Sequence, residues 1–231
     1  MIVGTIDGLR VILALSMLGL ATYWDLKTRE VSDLLWMVFG GVAIALILLS
    51  TSIAASLVGA GISLIVAPVV LIIWRMGLFG GADAFCVIVL AALAPGLTLT
   101  SGTVTPFTTL TNSAILSASP IVLNVSRNLV ALARGRDIFL GLEDETKGKK
   151  ITALFLGYRA KNPKFSFPLE RQDGNSRKFD FTLINADNAK FCSTPDTWVT
   201  PGVPYMIYIT AGFIVQLVFG DIIFHFIKLQ H

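Results

Sequence analysis

The sequence predicts an all-α polytopic membrane protein of about six transmembrane helices, with a small β-containing cytoplasmic domain inserted before the last helix. Three observations predict it. Of 231 residues, 54% are hydrophobic and 14% charged, with a mean hydropathy of +0.74. An ordinary soluble domain has ~45–50% and ~25%, and a soluble globule of this size cannot hide so much apolar side chain. The charges are also segregated: residues 134–200 hold 12 basic and 9 acidic side chains, whereas 1–133 hold five of each and 201–231 one of each. Finally, the charge-poor regions contain runs that approach the roughly 20 apolar residues needed to cross a bilayer. The domain reading is a five-helix membrane domain at 1–133, a polar domain at 134–200 and a final transmembrane helix at 201–231.

The first run is about Ile6 to Leu26. No Lys or Arg precedes it in Met1 to Gly8, so it reads as a retained helix and not as a cleavable signal. The second is about Leu34 to Leu49, and the third about Ile53 to Met76 with a kink expected at Pro68. The fourth starts near Asp83 and ends by about Leu97. The fifth, about Ala114 to Ala133, carries Ser117, Ser119, Asn124, Ser126 and Asn128, polar residues that suit a face against other helices. The sixth is about Pro204 to Ile227. Between the fourth and fifth lies an uncharged loop, Thr98 to Ser113, with 9 Ser or Thr among its 16 residues.

Basic residues in short loops set the orientation. Lys27 and Arg29 follow the first span, Arg75 the third, and Arg134 and Arg136 the fifth. These loops fall on one face, the cytoplasmic one, which leaves both termini outside and the 134–200 domain inside. In that domain Phe165-Ser166-Phe167 and Phe179-Asp180-Phe181 alternate as half-buried strands do, and both are expected in the core. Ile151 to Tyr158 fits a strand or a short helix.

Composition also excludes several chemistries. Cys86 and Cys192 stand far apart without a CxxC pair, and both histidines, His225 and His231, lie at the far end, so no metal site is expected. Ser16 and Ser63 have no histidine or lysine partner in sight, and Cys86 reads as a small apolar helix residue. No basic stripe interleaved with aromatics is present, so no nucleic-acid partner is expected; the bilayer is. Trp24, Trp36 and Trp74 read as interface anchors, and Asp221 faces either the outer interface or a partner helix.

Two aspartates stand out. Asp25 ends the first span in Tyr23-Trp24-Asp25-Leu26-Lys27-Thr28-Arg29-Glu30-Val31-Ser32-Asp33. Asp83 opens the fourth in Gly80-Gly81-Ala82-Asp83. The topology brings both to the cytoplasmic edge of the membrane. Ionisable groups beside hydrocarbon are costly and usually functional, and two carboxyls on one face can share a proton and activate a water. Gly80 and Gly81 permit a tight turn and a close backbone approach. Alone, Asp25 also suits an interfacial anchor paired with Lys27 or Arg29, and Asp83 a helix N-cap.

These residues resemble the archaeal preflagellin and type IV prepilin peptidase family, membrane aspartyl proteases of the GxGD type, over most of the chain. Asp25-x-Lys27-x-Arg29-Glu30-Val31-x-Asp33 resembles the family's first catalytic segment. Gly80-Gly81-Ala82-Asp83 keeps the Gly-x-x-Asp frame, with Ala82 at the second glycine and Phe85 where bacterial members have Lys. Pro201-Gly202-Val203-Pro204 is similar to archaeal members. The resemblance implies a catalytic pair, Asp25 and Asp83, that removes a short basic leader from precursor archaellins or pilins, with no cofactor. Bacterial relatives that methylate the new N-terminus carry paired CxxC motifs; none exists here, which implies a peptidase without methyltransferase activity. Gly80 and Gly81, with Glu30 and Asp33, are the candidate substrate contacts, the two acids facing a basic leader. Ser32 or Asp33 also suits an N-cap of the second helix.

Two other classes fit parts of the pattern. A small ion-coupled transporter would carry charges near the bilayer midplane and a repeat between halves, and neither is visible. A non-catalytic filament assembly platform would tolerate loss of both aspartates. A presenilin-like protease is disfavoured, because 201–204 read Pro-Gly-Val-Pro and not Pro-Ala-Leu.

Overall fold

The structure is a computed structural model that describes residues 5–173, 176–182 and 190–229. The expected terminal segments at 1–4 and 230–231, and the parts of the polar domain at 174–175 and 183–189, lie outside the described residues. The chain forms two compact units, one of Met1–Ser117 with Pro204–His231, the other of Ala118–Val203.

The first unit is helical: α1 (Thr5–Thr28), α2 (Asp33–Leu48), α3 (Ile53–Ser63), α4 (Val66–Arg75), α5 (Gly81–Leu93), α6 (Thr108–Leu116) and, in the second unit's numbering gap, α9 (Tyr205–Phe219) and α10 (Ile222–Leu229). Its core gathers Met17 and Leu18 of α1, Trp36 of α2, Val66 and Val70 of α4, Leu90 and Leu93 of α5 and Phe213 of α9. Trp36 is therefore a core residue and not an interface anchor, at 5% exposure. Outward, α2 and α3 present Met37, Val38, Ile44, Leu57 and Ile62, the apolar exterior that a bilayer covers.

Three stretches are long and apolar enough to cross a membrane: Ile6–Thr28, Ile53–Arg75 and Thr108–Ala133. The other three expected spans coincide with shorter apolar helices, Asp33–Leu48, Gly81–Leu93 and Tyr205–Phe219. Pro68 acts as anticipated, by interruption. It has no N–H to give the Leu64 carbonyl, α3 stops at Ser63, and that carbonyl accepts from Ala67 N at 2.9 Å.

The uncharged Thr/Ser segment is only half a loop. From Thr108 it forms α6, whose polar side chains are buried against α9. Asn112 Nδ2 donates to the Gly220 and Gly212 carbonyls at 3.0 and 3.3 Å, and its Oδ1 accepts from Ile222 N at 3.0 Å. Gln216 Nε2 donates to the Leu97 carbonyl at 3.0 Å. Asp221 is the partner-facing acid: Thr108 and Thr111 hydroxyls donate to its Oδ2 at 3.1 and 3.2 Å, while its Oδ1 caps α10 through Ile223 N at 2.9 Å. The expected last span breaks here, because Gly220 turns the chain at φ +79°. Away from water, helices associate through such small-residue contacts and hydrogen bonds.

Gly212 is the tightest point of that seam. A Cβ there would overlap Ser113 Oγ and stand 2.8 Å from Ser113 N and Thr109 O. Gly212→Ala is expected to destabilise the protein by about 1–3 kcal/mol, although Ala normally improves a helix by about 1 kcal/mol. A thermal melt in detergent checks this; an unchanged or higher midpoint would refute the close packing.

Among the described residues the second unit holds α7 (Ser119–Ala133), α8 (Lys147–Leu156) and five strands, β1 (Tyr158–Ala160), β2 (Ser166–Pro168), β3 (Glu170–Asp173), β4 (Ser176–Phe179) and β5 (Thr197–Pro201). Strands β1, β5 and β2 form an antiparallel sheet in that order, with Arg159 opposite Trp198 and Phe167 opposite Thr200. Strands β3 and β4 form a separate antiparallel pair. Ile151 to Leu156 is helical, which settles that ambiguity. Asn124 and Asn128 of α7 face α8, as a helix contact requires: Asn128 Nδ2 donates to the Gly157 and Leu154 carbonyls at 2.7 and 3.0 Å, and Asn124 Nδ2 to that of Phe155 at 3.2 Å. Phe179 and Phe181 join the core around Trp198. Phe165 and Phe167 do not. Ser166 is the buried residue of β2, and the two rings flank Phe191 outside that core.

Candidate active site

The site is built on two helix ends in the first unit. Asp25 lies in the last turn of α1, where Arg29 N donates to its backbone carbonyl at 3.1 Å. Arg29 then takes φ +62° and ends the helix. Asp83 lies in the first turn of α5. The chain reaches α5 through a Schellman turn at the end of α4: Gly77, at φ +75°, donates to the Trp74 carbonyl at 2.8 Å and Leu78 N to that of Ile73 at 3.2 Å. Only Gly adopts that conformation at no steric cost.

Gly80 is the N-cap of α5 in extended conformation, and Asp83 stands at the third helical position. Its Oδ2 reaches back to accept Gly80 N–H at 3.3 Å, the carboxylate half of a capping box. A Cβ on Gly80 would lie 3.2 Å from that oxygen, and one on Gly81 would lie 3.4 Å from the Trp74 indole. Gly80 thus admits the Asp83 carboxyl, while a side chain at Gly81 would make only ordinary contact with the Trp74 ring.

Asp83 lies within electrostatic reach of the Asp25 carboxyl. Asp25 also feels Arg29, and the backbone N–H of Met206, at the start of α9, points at its carboxyl. Its Oδ2 is buried without a hydrogen-bond partner among the described residues. One turn earlier Thr22 ties α1 to α9, with its hydroxyl 2.7 Å from that of Thr210 and donating to the Met206 carbonyl at 3.3 Å. Tyr205 packs on Phe79 at 4.9 Å between ring centres, within electrostatic reach of Asp83. Tyr205 and Met206 escaped the sequence reading. Their only signal was Pro201-Gly202-Val203-Pro204 just before them.

Glu30 and Asp33 are both exposed, in and just after the turn that follows Asp25. The N-cap of α2 is Ser32, whose Oγ accepts Leu34 N–H at 3.3 Å, so Asp33 is the first helical residue. Among the described residues neither acid has an ion-pair partner. Cys86 is fully buried in α5. No three His, Cys, Asp or Glu side chains converge among the described residues.

Known families share this arrangement of sequence. Residues 12–122, which include both aspartates, match the type IV leader peptidase family, and residues 149–222 match the archaeal peptidase A24 C-terminus, type II. A preflagellin peptidase of Methanocaldococcus jannaschii is 24% identical over 219 residues, covering 87% of this chain and 90% of its own. One of Methanococcus maripaludis is 27% identical, covering 90% and 94%. The chain belongs to the type IV leader peptidase family. It is accordingly a peptidase and a membrane protein. The C-terminal match takes in most of α8, the five described strands and α9.

Proposed function

We propose that this leader peptidase removes the short basic leader from archaellin- or pilin-like precursors, cutting just before their hydrophobic helix at the cytoplasmic face of the membrane. Asp25 and Asp83 are the catalytic residues, without metal or organic cofactor and without methyltransferase activity. The six apolar segments act as spans, with both termini outside and 134–200 inside. The observation that carries the reading is that the two carboxyls, from separate helix ends, lie within electrostatic reach, with one oxygen of Asp25 buried and without a hydrogen-bond partner among the described residues.

The chemistry follows from one shared proton. The ionised carboxyl takes a proton from water as its oxygen adds to the scissile carbonyl carbon. The protonated carboxyl gives its proton to the carbonyl oxygen, so a neutral tetrahedral gem-diol forms. Collapse returns a proton to the second carboxyl and delivers one to the leaving amine, which breaks the C–N bond and regenerates the pair.

The test is purified protein in detergent with an archaellin or prepilin precursor. The expected product is cut once, immediately before the hydrophobic segment. No cleavage of either precursor, or cleavage elsewhere, would overturn the reading. Glu30 and Asp33 supply a further prediction. The charge reversals Glu30→Lys and Asp33→Lys together are expected to raise KM for a basic leader about tenfold with kcat little changed, since they act on binding alone. A capping role for Asp33 would instead lower stability and leave KM alone.

A further inference from the structure

The second unit contains an open groove of about 840 Å³ that the peptidase chemistry does not use. It is lined by α7, the chain that follows α7, and β1 with the turn after it. Along α7 the lining residues Leu123, Arg127, Val130 and Arg134 recur every three or four positions, so they share one helical face. Arg136 and Lys161 complete the cationic lining.

Each charge facing the groove can be accounted for. Arg159 is a wall residue: its Nε and Nη2 grip Asp196 at 2.9 and 2.7 Å, and its Nη1 donates to the Leu140 carbonyl at 2.9 Å. That fork holds the Asp196 carboxyl below the usual carboxylate range. The other acid, Asp137, turns one oxygen to Phe139 N at 3.1 Å. The Arg127 guanidinium carbon lies over the Tyr158 ring, 3.8 Å from its centre, a cation–π contact that holds the group in place and does not use up its N–H donors. Arg134, Arg136 and Lys161 are exposed and have no ion-pair partner among the described residues. Four cations therefore face one unmatched acid.

We propose that this groove binds the headgroup of an anionic phospholipid. The cations suit its phosphate, with Arg127 as the oriented donor. Exposed aliphatic side chains in the same lining, Leu123, Val130 and Leu140, suit the glycerol and the first acyl carbons. They have no counterpart in a free phosphate or a sugar phosphate. Location agrees: the membrane-length stretch Thr108–Ala133 ends immediately before Arg134, and basic side chains just past a span meet anionic headgroups.

The experiment is native mass spectrometry of the full chain in detergent, with phosphatidylglycerol or phosphatidylcholine of the same acyl chains. Wild type is expected to retain one phosphatidylglycerol in preference to phosphatidylcholine. Arg127→Gln and Lys161→Gln, each at an exposed side chain, are expected to weaken that retention about fivefold apiece, with phosphatidylcholine retention and the melting midpoint unchanged. Lys161→Gln alone, in the turn after β1, keeps the test valid should loss of Arg127 disturb the fold. Equal retention of the two lipids, or retention by the double variant equal to wild type, would overturn the proposal. So would displacement of phosphatidylglycerol by millimolar inorganic phosphate or glycerol phosphate, which would assign the groove to a soluble anion.

Discussion

Replacing Asp83 by Asn is expected to lower kcat for precursor cleavage about 10²–10⁴-fold, the usual worth of a positioned acid or base, with KM and melting midpoint nearly unchanged. The reason lies in what Asn retains. Its carbonyl oxygen can still accept the Gly80 N–H now taken by Asp83 Oδ2 at 3.3 Å, so the first turn of α5 keeps its cap. Its volume is the same, so Ala84 and Cys86 stay packed in the core. It cannot hold a negative charge or release a proton. Asp83→Ala, by contrast, removes both functions and adds a stability loss of about 1 kcal/mol for the missing cap. The pair of variants separates capping from catalysis. Asp25→Asn is expected to match Asp83→Asn, and the double variant to be no slower than either single one, because groups that act as one unit lose their effect once. Either Asn variant that keeps a tenth of the activity would exclude the carboxyl pair.

The placement of both aspartates at helix ends was legible because each sits in a signature that side chains alone write: an acid at a span end followed by basic residues, and an acid three positions past a glycine. What holds them was less legible. The Met206 amide that points at Asp25 is a backbone group, and a backbone N–H has no sequence signature. The helix seam was missed for a different reason. Thr108, Thr109 and Asn112 are uncharged polar residues without an apolar stripe, so they read as loop, yet they are buried because Asp221, Gln216 and the carbonyls of Gly212 and Gly220 satisfy them. Polar pairing across two helices 100 residues apart in the chain is invisible to periodicity. Pro68 was legible because its effect is local, and Gly220 was not, because a glycine in an apolar run breaks a helix only when its neighbours need the break. In the second unit Phe179 and Phe181 joined the core as alternation foretold, although β4 ends at Phe179, whereas Phe165 sits at φ +48° and Ser166 turned inward in its place.

The second large effect is expected in the polar unit, at Trp198. Its side chain is fully buried in β5. The indole stacks on Phe139 at 5.4 Å with planes 12° apart and meets Phe179 edge-on at 5.5 Å. Its Nε1 donates to the Ile138 carbonyl at 2.8 Å. One residue therefore joins the chain after α7, the β3–β4 pair and the three-stranded sheet. Trp198→Ala is expected to cost about 3–5 kcal/mol through lost burial and the cavity left behind, and it also leaves the Ile138 carbonyl without its buried donor. Trp198→Phe keeps much of the ring area and loses the N–H, so a cost of about 1–3 kcal/mol is expected. Hydrogen exchange is the suitable readout, because it reports the opening of each unit separately. In Trp198→Ala the amides of β1, β2 and β5 are expected to lose protection, while those of α5 and α9 keep theirs. Loss of protection throughout would mean that the two units unfold as one cooperative body, and unchanged protection in β5 would mean that the sheet is held by its strand register and not by this core.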